Sequence, residues 1–293
     1  MPISIGIFIG THMTQTSNNP LRQFFRQPAI YLRLPSGGQH WAPGSLVMPE
    51  NGELPIYPMT AIDEINYRTP DALFNGQAVI NVIQSCVPAI KDAGKIPNTD
   101  LNALLVAIRI ASYGHAMDIA STCPECKNED EFSVDLRILL DHMSSPDYSK
   151  VMDQGDLQII FKPSTYEEQN KSALEQFEKQ KVLQQVTASD ITEEERSKFL
   201  TESLRQITEL TINLISKSIA AIQVPGAVVN DPDQIKEFLN HCDRNVFKQI
   251  RDHVIDLTQQ GQIKPLDVEC TACNHHYPQE INLDMTSFFD SAS

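Results

Sequence analysis

The hydrophobic positions along this chain change period several times, and each change marks an element. Residues 30–34 (Ile-Tyr-Leu-Arg-Leu) and 45–48 (Ser-Leu-Val-Met) alternate briefly around a Ser36-Gly-Gly-Gln turn, which predicts a small hairpin. Pro20, Pro28, Pro35, Pro43 and Pro49 break the surrounding region and prevent a helix there. Residues 49–58 read as a linker. A helical period then begins. Thr60 with Asp63 three residues on predicts a capped start, and Thr69-Pro70-Asp71 predicts a second. Residues 77–86 continue with Val79, Ile80 and Ile83 apolar. Asn98 or Thr99 caps a helix from Asp100 to about Tyr113 that is apolar almost all round, so it is expected to be buried. Arg109 lies inside it and needs an anionic partner, with Asp63 or Glu64 the expected one.

A strand is predicted over 157–162, followed by a polar helix capped by Ser164 and running to about Gln185. Ser189 or Asp190 opens a long helix from Ile191 to about Ile222. Its apolar residues Phe199, Leu200, Leu204, Ile207, Leu210, Leu214, Ile215 and Ile219 recur at helical spacing. Residues 224–229 read as a short β-like crossing. Asp231-Pro-Asp opens a helix to about Cys242, and Asp243 opens the last, which ends at Gly261.

Between and after these helices stand two matched units. Residues 116–122 alternate before Cys123-Pro-Glu-Cys126, and residues 131–136 alternate after it. Residues 264–269 precede Cys270-Thr-Ala-Cys273, and residues 280–284 follow it. Two residues between cysteines let both sulfurs of one turn reach one metal ion, and four thiolates at tetrahedral corners suit a structural Zn²⁺ with no open position. The predicted ligands are Cys123, Cys126, Cys270 and Cys273. A redox pair and disulfides are the alternatives, but two matching units without a βαβ context favour a metal. His275 and His276 could replace a cysteine ligand. Cys86 and Cys242, in apolar helical surroundings, read as buried thiols.

The expected fold class is therefore mostly α with small β elements: a helical body plus a split four-cysteine zinc ribbon made of two β-hairpin knuckles. The expected domains are an extended Pro-rich arm with a small hairpin (1–56), a helical block with the first knuckle (57–145), a helical insertion with a long hairpin (146–262), and the second knuckle with the tail (263–293).

Composition narrows the function. The net charge is −15 over 293 residues, which disfavours phosphate backbones and hence a DNA or RNA reader. Residues 1–49 hold Arg22, Arg26 and Arg33 and no acid, so they carry +3 while the remainder carries −18. Phe24, Phe25, Tyr31 and Trp41 lie in the same stretch, which suggests an arm for a neighbouring subunit or for the chain's own acidic body. No apolar run is long enough to span a membrane, and the first ten residues lack the basic flank of a signal peptide. Reduced-looking cysteines with metal spacing point to the cytoplasm. Neither a phosphate-binding glycine loop nor a nucleophile elbow nor a zinc-protease helix occurs, and the histidines are scattered, so an enzyme is not expected.

Several stretches resemble a known family. They are Asn18-Asn-Pro-Leu-Arg-Gln-Phe-Phe-Arg-Gln-Pro28, Tyr57-Pro-Met-Thr-Ala-Ile-Asp-Glu-Ile65, Arg68-Thr-Pro-Asp-Ala-Leu73, Gly76-Gln-Ala-Val-Ile80, Ile83-Gln-Ser-Cys86, and Ala107-Ile-Arg-Ile-Ala-Ser-Tyr-Gly-His115 ahead of the first cysteine pair. Together they resemble the baseplate hub subunit of T4-like contractile-tailed phages, most specifically over 57–126. The resemblance implies a non-enzymatic virion protein of the tail baseplate, assembled in the host cytoplasm. It implies several copies around the tail axis, in contact with other hub proteins, the tape-measure protein and the spike complex. An assembly factor that loads the tape measure and is not retained is the alternative within the family. A zinc-ribbon nucleic-acid or transcription module is the alternative outside it.

Overall fold

The computed structural model describes residues 19–68, 76–187 and 193–281. The helix openings predicted at Thr69-Pro70 and at Ser189 or Asp190, and the first twelve residues, lie outside them. A 3-10 turn (Pro20–Phe24) leads to β1 (Ile30–Leu32) and β2 (Leu54–Ile56), then α1 (Ala61–Tyr67), α2 (Gln77–Cys86) and α3 (Asn98–Tyr113). Next come β3 (Ala116–Thr122), β4 (Glu129–Asp135), α4 (Leu136–His142), β5 (Met152–Gln154) and β6 (Leu157–Phe161). The helical pair α5 (Tyr166–Thr187) and α6 (Glu193–Lys217) precedes β7 (Ile219–Val224) and β8 (Ala227–Val229). The chain continues through α7 (Pro232–His241), α8 (Arg244–Gln260), β9 (Leu266–Glu269) and β10 (His276–Gln279).

This architecture corrects the expected fold class. Among the described residues helix accounts for 44% and strand for 21%, the latter in four small sheets. One of them is a four-stranded antiparallel sheet in the order β5-β6-β7-β8. The two cysteine-bearing sheets, β3-β4 and β9-β10, are each two-stranded and share no strand pairing, so they do not form one ribbon. The predicted 191–222 helix overran its end. It stops at Lys217, and Ile219 and Ile222 face Phe161 and Ile159 across a strand ladder. Pro225 and Gly226 then turn β7 back onto β8, and Gly226 takes φ 86, a conformation that suits glycine.

Some of the predicted helix caps hold and others shift. Thr60 and Asp63 form a reciprocal capping box at α1. Asp231 accepts from the Asp233 and Gln234 amides at 3.0 Å, and Asp243 from Asn245 at 2.7 Å. The α5 cap is Thr165, paired with Glu168, rather than Ser164. At α3 the helix starts at Asn98 after Pro97, with no side-chain cap. Its buried face carries Leu104, Leu105, Val106 and Ile108, packed on Val82 and Ile83 of α2 and on Leu54 and Ile56 of β2 in the main core. A second core joins Ile159 and Phe161 of β6 to Ile212 and Ile215 of α6, Ile235 and Leu239 of α7, and Ile250 of α8. Among the described residues no helix is long and apolar enough to cross a membrane.

The N-terminal region departs from the prediction in its pairing. β1 pairs with β2, Ile30 opposite Ile56, while Leu46 bridges to Ile90 instead of closing a hairpin on residues 30–34. Leu32 and Leu34 belong to the main core. Arg26 donates to the Pro58 carbonyl (2.5 Å), the Ser85 carbonyl (2.7 Å), the Ser85 hydroxyl (2.8 Å) and Asp63 (3.4 Å). Asp63, the partner expected for Arg109, therefore meets Arg26. The other expected partner, Glu64, accepts from the Tyr113 hydroxyl at 2.8 Å. Burial lowers the pKa of Arg109, whose guanidinium carbon lies 5.8 Å from the Tyr113 ring centre.

Candidate metal centre

Each cysteine pair sits in the turn of an antiparallel strand pair whose register runs unbroken to the turn, Thr122 opposite Glu129 in one and Glu269 opposite His276 in the other. The two turns are built alike. The Cys123 amide donates to the Asn128 carbonyl at 2.9 Å, and the Lys127 amide returns to the Cys123 carbonyl at 3.0 Å. The Cys270 amide donates to the His275 carbonyl at 3.0 Å, and the Asn274 amide returns to the Cys270 carbonyl at 2.9 Å. Lys127 and Asn274 take positive φ, 61° and 56°, which lets the chain curl around the two sulfurs.

The body supplies the placement. Gly114 ends α3 and hands the chain to β3, and the Leu136 amide donates to the His115 carbonyl at 2.8 Å where β4 returns. Residues 261–265 lead from α8 into β9. Side chains then lace the two sheets. The Ser121 hydroxyl lies 2.8 Å from that of Tyr277 and is hydrogen-bonded to Gln279. Asp130 accepts from the Thr271 amide at 3.1 Å and its hydroxyl at 2.5 Å. The Thr271 hydroxyl bond is the main cause of a lowered Asp130 pKa. The apolar centre of this module is small, with Val268, Cys123, Cys270 and Tyr277 buried and Phe132 and Leu266 beside them.

All four predicted ligands come together. Their sulfurs lie within 4.8 Å of one another, with Cys123–Cys273 at 3.7 Å and Cys126–Cys270 at 3.5 Å. A tetrahedral ion with metal–sulfur bonds of about 2.3 Å places sulfurs about 3.8 Å apart, so the cluster has the size of such a site. Bonded sulfurs stand about 2.05 Å apart, and all six cysteines are free. Cys123 and Cys270 face inward, while Cys126 and Cys273 are exposed.

The thiols are electrostatically uneven. Burial works against the Cys123 thiolate, but the Cys126 and Glu125 amides and the Cys126 and Cys273 thiols outweigh it and bring its pKa down to about 7. At Cys273 the His275 amide favours the thiolate, yet the Cys126, Cys270 and Cys123 sulfurs and burial push its pKa up to about 12. Burial likewise raises Cys270. Four sulfurs this close cannot all ionise alone, and a soft divalent cation is the counter-charge that lets them.

The other candidates stay outside. His276 lies 3.2 Å from Asp267, and His275 stacks on Tyr277 with ring centres 6.2 Å apart; neither joins the cluster. Burial raises Cys86 to about 12 and also raises Cys242. Of the predicted arm, Trp41 donates its indole N–H to buried Asp100 at 2.8 Å, and Arg33 meets Glu53 at 3.1 Å. Phe24 and Phe25 are exposed. The lacing residues Ser121, Asp130 and Thr271 went unread in the sequence. Only Thr271, inside the second cysteine motif, had a signal beside it.

A family model described as T4 bacteriophage base plate protein matches residues 45–290, which span both cysteine pairs, the whole second core and every α-helix described. The chain belongs to this family. Its role is that of a structural component of a phage baseplate, located in the virion tail and associated with other baseplate components. No curated protein and no solved structure matches it significantly.

Proposed function

We propose that this protein is a non-catalytic subunit of the baseplate hub, at the centre of the tail and in contact with the tape-measure protein or the spike complex, with one Zn²⁺ held by Cys123, Cys126, Cys270 and Cys273. The family match over 45–290 carries the reading. The four-sulfur cluster supports zinc, because its spacing and complete thiol set suit a structural ion. The narrower placement in the hub rests on the resemblance of residues 57–126. Bound zinc would tie the two strand pairs together through one ion, since each supplies half the ligands.

A phage carrying a conditional mutation that removes this chain tests the role. Heads are expected to accumulate without complete tails, while late transcription proceeds. Failure of late transcription, with tails still forming when late proteins are supplied, would instead make the chain a regulator.

A further inference from the structure

The N-terminal turn presents an apolar ridge that the described residues leave open. Leu21, Phe24 and Phe25 are 60%, 77% and 56% exposed within five residues. Isolated exposed apolar residues are ordinary, but three together on an ordered turn are not. The ridge is held in place. Asn19 accepts from the Leu21 amide at 3.0 Å, the Phe25 amide donates to the Arg22 carbonyl at 3.1 Å, and the next residue is the anchored Arg26. Such a ridge is preorganised, so it loses little freedom on docking.

A groove of about 600 Å³ lies at the foot of the cysteine module. Phe132 and Val134 of β4, Ile138 and Leu139 of α4, and Ile263 and Leu266 at the start of β9 line it. Ile138 is 57% exposed. The mouth carries Asp135, Asp267 and Glu269 against Lys264. Asp135 is bonded to Arg137, while Asp267 and Glu269 share His276 at 3.2 and 3.8 Å. The groove is thus apolar inside and acidic at the rim, and the ridge is aromatic with Arg22 in its middle and no acid anywhere in residues 1–49. Aromatic anchors flanked by arginine suit such a groove, and its volume is that of an ordinary binding site.

We propose that Leu21, Phe24 and Phe25 of one copy of this chain dock into the groove between β4, α4 and β9 of a second copy. Charge favours this occupant. Arg26 and Arg33 already meet this chain's own Asp63 and Glu53, but Arg22 stands on the ridge itself and would meet the Asp267 and Glu269 rim of a second copy. Ridge and groove are different patches, so the contact is heterologous: each copy gives one ridge and receives one, and repetition closes a ring or extends a chain. The inference stands on the two surfaces and does not depend on a place in the hub.

Sedimentation velocity of the full-length, metal-loaded chain over about 1 to 100 µM tests it. Association that grows with concentration is expected. The double variant Phe24→Ser/Phe25→Ser and the single variant Ile138→Asp change exposed side chains, so both should keep the parent's melting profile. Each should weaken association at least about tenfold. Mixing the two variants should give a heterodimer that grows no further, because one keeps its groove and the other its ridge. Added salt should weaken the contact. A monomer throughout the range overturns the proposal, as does association that both variants retain. A mixture that fails to pair also overturns it. If the chain stays monomeric while Ile138→Asp still blocks incorporation into baseplates, the groove serves a different protein and the proposal is wrong.

Discussion

Replacing Cys126 with serine is expected to abolish metal binding and to loosen both cysteine-bearing sheets together. Cys126 is exposed, so the change leaves no buried void, whereas Cys123 is fully buried and its loss would mix packing with metal effects. The module's own centre buries four residues, and its strands add Met117 to the main core with Ile119, Val134 and Leu266 beside it, a small hold on two two-stranded sheets without a further constraint. Structural zinc sites contribute roughly 10–16 kcal/mol in apparent binding energy, far more than the Ser121–Tyr277 and Asp130–Thr271 bonds supply. Native mass spectrometry should show one zinc on the parent and none on the variant. Hydrogen exchange should lose protection over 116–135 and 266–279 in parallel, with α2 and α3 unchanged, because their core does not include the four ligand cysteines. Loss of protection confined to one sheet would contradict a shared ion.

The second large effect is expected at Asp100. This carboxylate is fully buried at the start of α3 and accepts from the Ser36 amide (2.9 Å), the Ser36 hydroxyl (2.5 Å) and the Trp41 indole (2.8 Å). It pins the loop after β1 to the helix that carries the main core. Asp100→Ala leaves those donors without an acceptor, and the expected loss is about 2–4 kcal/mol in urea unfolding. The pH dependence has a definite sign. Burial raises the folded pKa of Asp100, against the Ser36 and Trp41 bonds that lower it. A raised acid contributes stability that is fully present below its ordinary value of about 3.9 and lost as pH climbs through the folded value. The gap between parent and variant should therefore be widest in acid and narrow upward. A gap that widens with pH would mean the carboxylate is stabilised as an anion.

The cysteine site was legible because ligand spacing is a local property: two residues between sulfurs dictate a turn, and a turn formed at each pair, although the strand expected over 280–284 lies at His276–Gln279 instead. How the two turns join is not local, and the sheets proved separate. Helix α3 was legible because its apolar positions left no face for solvent. The β5–β8 sheet was not. Ile215, Ile219 and Ile222 continue a helical spacing, so periodicity alone cannot mark where α6 ends. The break comes from tertiary pairing, with the Lys162 amide bonded to the Ser218 carbonyl at 2.9 Å where β7 begins beside β6. The N-terminal aromatics and arginines read as one arm, yet they divide by neighbours that sequence does not show. Arg26 and Trp41 bind the body, while Phe24 and Phe25 face out.

Quantitative mass spectrometry of purified virions and of isolated baseplates tests the central claim, that this chain is a structural part of the baseplate. Its peptides are expected in both preparations at one fixed ratio to the other baseplate proteins, undiminished by washing at high salt. Complete, infectious particles that lack the chain would contradict the account.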